Sequence, residues 1–307
     1  MEKSIPRQFD LPRLHSAFDH RAARFVANDF VPREVMQRLQ EHLAPIKLTP
    51  RRILDVGCAT GNAFSPLQKI YPCAHIIGLD WSAAMLTYAQ ATQGGILARL
   101  KRALAHKQRC QIVQADWSSL PIANRTIDLL WSNLALHWSS APHQTLSEWA
   151  RVLDTNGLLI FSTLGPDSLK ELRHAFTAVD AVPHIPDFVD MHDLGDMLVH
   201  SGLANPVMES EYLTLTYTTP QALLTDVRSL GIYPGSDAKK GLHGRTWHHR
   251  LLAAIESQRN KEGCIALTLE LVYGHAWQLT CVTEKQSTPQ LAFIQANQIQ
   301  RAGSTKK

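Results

Sequence analysis

Three carboxylates stand at matching places in the first half of the chain: Asp55 in "RILDVG", Asp80 in "IIGLD" and Asp116 in "VQAD". Each closes a short apolar run that reads as a buried strand. Between the first two lies "GCATGN", a turn of small residues in which Gly57 and Gly61 are separated by Cys58, Ala59 and Thr60. Glycines suit such a turn because the backbone must bend tightly and approach a ligand closely. An acid closing the second strand can accept both hydroxyl hydrogens of a ribose diol, and one closing the third can accept from an adenine amino group. The chemistry implied is recognition of a nucleoside-like ligand. Any one of these acids could equally cap the helix that follows it, but three on successive strands are hard to explain that way. The spacing GxGxxG is absent, which disfavours a nicotinamide-dependent oxidoreductase.

The elements that must position these groups follow from periodicity. "VPREVMQRLQEHL" reads as an amphipathic helix, within a helical pattern that runs from about Leu14 to Leu43. "RRILDVG", "AHIIGLD", "CQIVQAD", "TIDLLWSNLAL" and "GLLIFSTL" read as five strands, and "SAAMLTYAQ" (with Ser82 as its N-cap) and "HQTLSEWARVL" as helices among them. Strands alternating with helices predict an α/β fold, a doubly wound, mostly parallel sheet with helices on both faces. Beyond Gly165 the pattern becomes α+β, with helices at "DSLKELRHAFTAV", "MHDLGDMLVHSGL" and "TPQALLTDVRSLG" and strands at "VMESEYLTLTY" and "CIALTLELVYGHAW". The expected divisions are a helical cap over 1–44, a nucleotide-binding domain over 45–165, a lid and sheet-completing region over 166–283, and a polar, disordered tail over 284–307.

Bulk properties narrow the classes. Of 307 residues, 45% are hydrophobic and 19% charged, as in a globular protein with a real core. No apolar run approaches the roughly 20 residues needed to cross a bilayer, and the N-terminus shows no secretory pattern, so a cytoplasmic location without membrane association is expected. The five cysteines form no CxxC pair and the histidines show no HxxxH spacing, so no metal site is expected, and His248–His249 reads as surface. A net charge of +4 fits a mild preference for acidic partners but forms no stripe suited to nucleic acid.

The segments "ILDVGCATGN", "IIGLDWSAAML", "VQADWSSLPIANRTIDLLWSNLALHW" and "EWARVLDTNGLLIFSTLG" resemble the ordered motifs of class I S-adenosylmethionine-dependent methyltransferases. "FSTLGPDSLKELRHAF", "DMHDLGDMLVHSG" and "YGHAW" extend the resemblance to the malonyl-[acyl-carrier protein] O-methyltransferases of biotin synthesis, over roughly residues 14–278. That resemblance implies S-adenosylmethionine as cofactor. It places the methionine end over Gly57 and Gly61 with Asp55 orienting it, the ribose on Asp80, and the adenine beside Trp81 and against Asp116 and Trp117. Asn133 would sit near the methyl-donating end. The implied acceptor is the free carboxylate of a malonyl thioester on acyl carrier protein.

Since a carboxylate is already ionised at neutral pH, no general base is required; alignment and exclusion of water carry the rate. Arg173 is the expected carboxylate-pairing residue, because its planar fork can hold one oxygen and leave the other to attack. Pairing with Glu171 or Asp180 is the alternative. His184 and Phe188 are expected to line the acyl pocket, with His192 and Asp193 serving a helix start. Lys239, Lys240, Arg245 and Arg250 form the most basic patch, suited to docking acidic acyl carrier protein.

The chain departs from the family pattern at Ala59, where relatives carry glycine, and at Phe25 and Pro32, where many carry tyrosine and glutamine. A negative φ is expected at Ala59, since the flanking glycines remain. "RAARFVANDFVPREV" also resembles a branch of respiratory complex assembly factors that hydroxylate a protein arginine, and a non-catalytic S-adenosylmethionine-binding protein is a further alternative.

Overall fold

The structure is a computed structural model of the chain and describes residues 11–92, 110–230 and 244–279. The expected tail over 284–307, and Lys239 and Lys240 of the basic patch, lie outside the described residues. The helical pattern at the N-terminus is two helices, α1 (Leu11–Ala27) and α2 (Phe30–Leu43). Then come β1 (Arg52–Val56), α3 (Phe64–Ile70), β2 (His75–Asp80), α4 (Ala83–Thr92), β3 (Cys110–Gln114) and β4 (Ile127–Asn133). A 3-10 turn, Leu136–Trp138, leads to α5 (Pro142–Val152) and β5 (Leu153–Leu164). The C-terminal part adds α6 (Lys170–Thr177), α7 (Met191–His200), β6 (Ala204–Tyr217), α8 (Pro220–Leu230), α9 (Arg245–Glu256) and β7 (Ile265–Gln278). Helix α9 is not expected from the sequence, where Arg245 and Arg250 read only as part of a basic patch. No helix among the described residues is long and apolar enough to cross a membrane.

The sheet has seven strands in the order β3-β2-β1-β4-β5-β7-β6. Strands β1 to β5 pair in parallel and β7 runs antiparallel between β5 and β6. The chain leaves β1 in one direction for β2 and β3 and returns on its other side with β4. The crevice this reversal opens, beyond the C-terminal strand ends, is where ligands bind in such sheets.

Alternation along the central strands feeds two cores. Leu129, Leu158 and Ile160 face one layer with α2 and α6, while Leu130, Leu159 and Phe161 face the other with α1, α5 and α7. Strands buried on both faces need continuous apolar runs, which is why "DLLWS" and "LLIF" show no polar alternation.

The "GPDSLKEL" segment stitches β5 to β7. Gly165 N–H donates to the Glu270 carbonyl (2.9 Å), Leu169 N–H to that of Thr268 (2.7 Å), and Asp167 N–H to the Glu270 carboxylate (2.7 Å). Glu171 accepts from the Thr268 N–H at 2.9 Å. A Cβ at 165 would stand 2.4 Å from the Glu270 carboxyl carbon, so a larger residue would push that carboxylate from its place against Asp167. In "YGHAW", Gly274 pairs with Phe161 across β5 and β7, and a Cβ would meet the Phe161 ring at 2.5 Å. These segments hold the antiparallel addition to the sheet.

Candidate active site

The turn after β1 is pinned to β2: Gly57 and Cys58 N–H groups both donate to the Leu79 carbonyl, at 2.8 and 3.0 Å. Gly57 and Gly61 have φ of +74° and +76°. Ala59 is also left-handed, at φ +45°, which corrects the expectation of a negative angle. What holds it there is Asp80, whose carboxylate accepts the Ala59 N–H at 2.9 Å and the Ser82 N–H at 2.9 Å. Asp80 thus locks the glycine turn to the start of α4. Ser82 caps that helix as expected, accepting the Met85 N–H at 3.1 Å.

Asp55 and Asp80 are both buried. Burial, reinforced by Asp80, raises the Asp55 carboxyl to about 8. Asp80 rises to about 6, its burial offset in part by the two N–H donors and the Arg21 cation. One Asp55 oxygen, Oδ2, has no hydrogen-bond partner. Asp116 is half-buried and accepts from the Ser118 N–H and hydroxyl, both at 2.7 Å. Local turn capping and a place at a strand end therefore coexist in Asp80 and Asp116.

An apolar cavity opens at the crevice, with about 650 Å³ of space including its mouth. Of the expected site residues, Gly57, Asp80, Trp117 and Asn133 line it, as does Ala59. Gly61, Asp55, Trp81 and Asp116 are not among its lining residues. Trp81 stacks on Trp117 at 3.9 Å between ring centroids, so Trp81 buttresses the ring that faces the cavity. The Asn133 side chain donates to the Pro32 carbonyl at 2.9 Å and accepts from the Ser162 hydroxyl at 2.8 Å.

Helices α1 and α2 supply the opposite wall, and polar contacts near the cavity help to fasten them. Asn133 holds Pro32, the Asn62 amide donates to Asp29 at 2.9 Å, and the Ser82 hydroxyl donates to Asp19. Phe25 and Pro32, the departures from the family pattern, both line the cavity. So does Arg21, a residue no motif flagged. It is buried, with its guanidinium carbon 3.4 Å from the Phe18 ring centroid.

A second cavity is lined by Pro186, Asp187, Phe188 and Leu194 among others, and shares His137 with the first. Phe188 packs edge-on against His137, with ring centroids 5.9 Å apart. His137 is half-buried; desolvation of its ring, then repulsion from Arg21, lowers its imidazole to about 3, so it is neutral. It lies inside a quoted motif but is assigned no role by the sequence, and its place between the two cavities is what distinguishes it.

The expectation for His184 is corrected. Its ring bonds Asp180 at 2.8 Å and stacks on Phe176 at 4.4 Å, and it lines neither cavity. Asp180 also accepts from the Trp247 indole at 2.7 Å, which ties α9 to the turn that follows α6. Arg173 lines neither cavity. It donates to the Pro186 carbonyl at 3.3 Å and stands 3.9 Å from Asp187. It pairs with neither Glu171 nor Asp180, and braces the rim of the second cavity from behind. His192 and Asp190 open α7, the carboxylate accepting the His192 N–H at 2.8 Å, in line with the helix-start reading.

Comparison with known proteins adds three findings. The family described as "Methyltransferase domain" matches residues 54–161. The chain is 40% identical over 273 residues to the malonyl-[acyl-carrier protein] O-methyltransferase of Laribacter hongkongensis, covering 88% of this chain and 90% of that one. It is 42% identical over 270 residues to the protein of that name from Gallionella capsiferriformans, covering 88% and 91%. Among solved structures it is similar in fold to protein YcgJ of Bacillus subtilis (TM-score 0.54, 15% identity, 79% and 98% covered). It is likewise similar to a putative methyltransferase of Bacillus halodurans (TM-score 0.53, 16% identity, 80% and 99% covered).

Proposed function

The chain belongs to the malonyl-[acyl-carrier protein] O-methyltransferase family, and from that premise we propose how its residues perform an S-adenosylmethionine-dependent methylation of the malonyl carboxylate. The observation that carries the reading is likeness over most of the chain: identity near 40% covers 88% of it and about nine-tenths of each relative. The same likeness leaves the arginine-hydroxylase and non-catalytic readings without support of their own. The product is the methyl ester that enters pimeloyl assembly in biotin synthesis.

S-adenosylmethionine, when bound, supplies an electrophilic methyl group on a sulfonium sulfur. The residues present fit it. The turn bearing Gly57 and Gly61 has the backbone of a close approach, Asp55 keeps an unpartnered oxygen behind it, and Asp80 faces the cavity. In this reading Asp80 takes the ribose hydroxyls, Trp117 lies against the adenine with Trp81 and Asp116 behind it, and Asn133 fixes the cap over the reacting end. The acceptor is an anion that needs no base, so the chain's task is to orient it and exclude water. Apolar side chains from α1 and α2 (Phe18, Phe25 and Val31) do the latter by walling the cavity. The acyl arm would pass Phe188 and His137 from the second cavity, whose rim Arg173 braces. Acyl carrier protein would dock near Arg245 and Arg250 on α9, in a cytoplasmic reaction.

The test is to incubate the protein with S-adenosylmethionine and malonyl-acyl carrier protein and weigh the acyl group. A gain of one methylene is expected. No gain from protein that still binds S-adenosylhomocysteine would overturn the reading.

A further inference from the structure

We infer that Arg21 is the carboxylate anchor of the main cavity, gripping a carboxylate of the bound reactants with its guanidinium fork; the inference rests on the methyl-transfer reading above. Arg21 projects from α1 into a cavity whose lining is otherwise mostly apolar. It is 8% exposed, its guanidinium lies over Phe18 and within 5.4 Å of the Trp138 ring centroid, and its Nε has no hydrogen-bond partner. No ion pair or hydrogen bond to its guanidinium is found among the described residues. The acid among the lining residues, Asp80, already serves the Ala59 and Ser82 N–H groups. His137 is neutral, so Arg21 carries the one fixed positive charge among the lining residues.

Asp80 lends Arg21 electrostatic support but no hydrogen bond, and a buried guanidinium with donors to spare calls for a directly bonded partner. An anion entering the cavity supplies it. Burial lowers the guanidinium to about 9, which still leaves it charged at neutral pH. The planar fork prefers a carboxylate, which it can meet with two parallel N–H donors. Arg173, the residue the motifs suggested, is turned to the rim and bonded there. The reactants bring two carboxylates: the malonyl terminus of the acceptor and the amino-acid end of the cofactor. The acceptor's is favoured because Arg21 and His137 share the cavity, and His137 is also the wall of the second one.

The test compares wild type with Arg21→Gln and Arg21→Lys, using paired ligands that differ by one carboxylate. Malonyl- and acetyl-acyl carrier protein form one pair, and S-adenosylhomocysteine and methylthioadenosine the other. The expected result is a KM for malonyl-acyl carrier protein raised roughly 10- to 100-fold in Arg21→Gln, the loss of a charged hydrogen-bonded contact. Arg21→Lys should recover part of it. Binding of acetyl-acyl carrier protein and of both nucleosides should be unchanged. Weakened S-adenosylhomocysteine with unchanged methylthioadenosine would assign the same anchor to the cofactor's carboxylate. Equal losses for both members of a pair, or no loss in either pair, would overturn the inference. Wild-type turnover with malonyl-acyl carrier protein separates this outcome from failure of the methyl-transfer reading, and melting temperatures identify a variant that has merely unfolded.

Discussion

At the scale of single residues, Ala59 shows how far a side chain can be held against its preference. Its φ of +45° lies in the left-handed region, which costs an L-residue with a Cβ about 1 kcal/mol. The hydrogen bond from its N–H to Asp80 keeps it there. Ala59→Gly removes that strain while leaving the bond in place, so the variant should be more stable, by roughly 2 °C in melting temperature. It should bind S-adenosylhomocysteine at least as tightly; a lower melting temperature would show that the angle is relaxed. Asp55 carries a different tension. Its folded-state carboxyl is raised to about 8, against about 4 in an unfolded chain, so the folded protein holds a proton that the unfolded chain has released. The stability this contributes is full below pH about 4 and is lost as pH rises through about 8. Asp55→Asn fixes the neutral form. Its melting temperature should pull above the parent's as pH climbs from 5 to 8.5, and parallel curves would refute the assignment.

At the scale of elements, the cap packs apolar residues of α1 and α2 into the two cores, and polar ties fix it to the glycine turn. The Asn62 amide meets Asp29 on one side of the glycine turn, and Asn133 meets the Pro32 carbonyl on the other. Asn62→Ala removes one tie, worth about 1 kcal/mol, from the cap alone. Hydrogen exchange should quicken in α1 and leave β4 and β5 unchanged; uniform acceleration would mean that the cap and sheet open together. The central elements were legible because strands buried on both faces require unbroken apolar runs, as in "DLLWS", and because Ser82 announces the start of α4. The three strand-end acids were legible for the same reason, since each ends such a run. Ala59's angle was not, because it is set by a carboxylate twenty-one residues away. Nor was Arg21, which on a helix of mixed charge looks like any solvated arginine until α2 and the 3-10 turn close around it. Helix α9 was hidden by its exposed polar face, although Leu251 and Ile255 supply the buried one. His184 was misassigned because "PHIPDF" reads as a loop near a pocket, whereas Asp180 and Phe176 draw its ring into the α6 packing.

At the scale of the molecule, a chain of net charge +4 must select an acidic carrier protein and then admit only the end of its acyl arm. Helix α9 offers Arg245 and Arg250 on an exposed face, while the Trp247–Asp180 bond fixes that helix to the turn that follows α6. The apolar side of α9 is committed to the core through Leu251 and Ile255, while its exposed charged side, where Arg250 also donates to the Ala178 carbonyl at 3.4 Å, can meet another surface. Exposed charges of this sort act mainly on encounter, and their effect fades as salt shortens the Debye length to about 8 Å at physiological ionic strength. The double variant Arg245→Glu with Arg250→Glu should therefore raise KM for malonyl-acyl carrier protein several-fold and flatten its dependence on salt. Turnover at saturation should stay near that of the parent, because neither side chain lines a cavity. A small malonyl thioester lacking the protein should show no salt dependence in either enzyme. Should it respond to salt as the carrier protein does, the charge would be acting on the acyl carboxylate within the cavity, and α9 would have no part in docking.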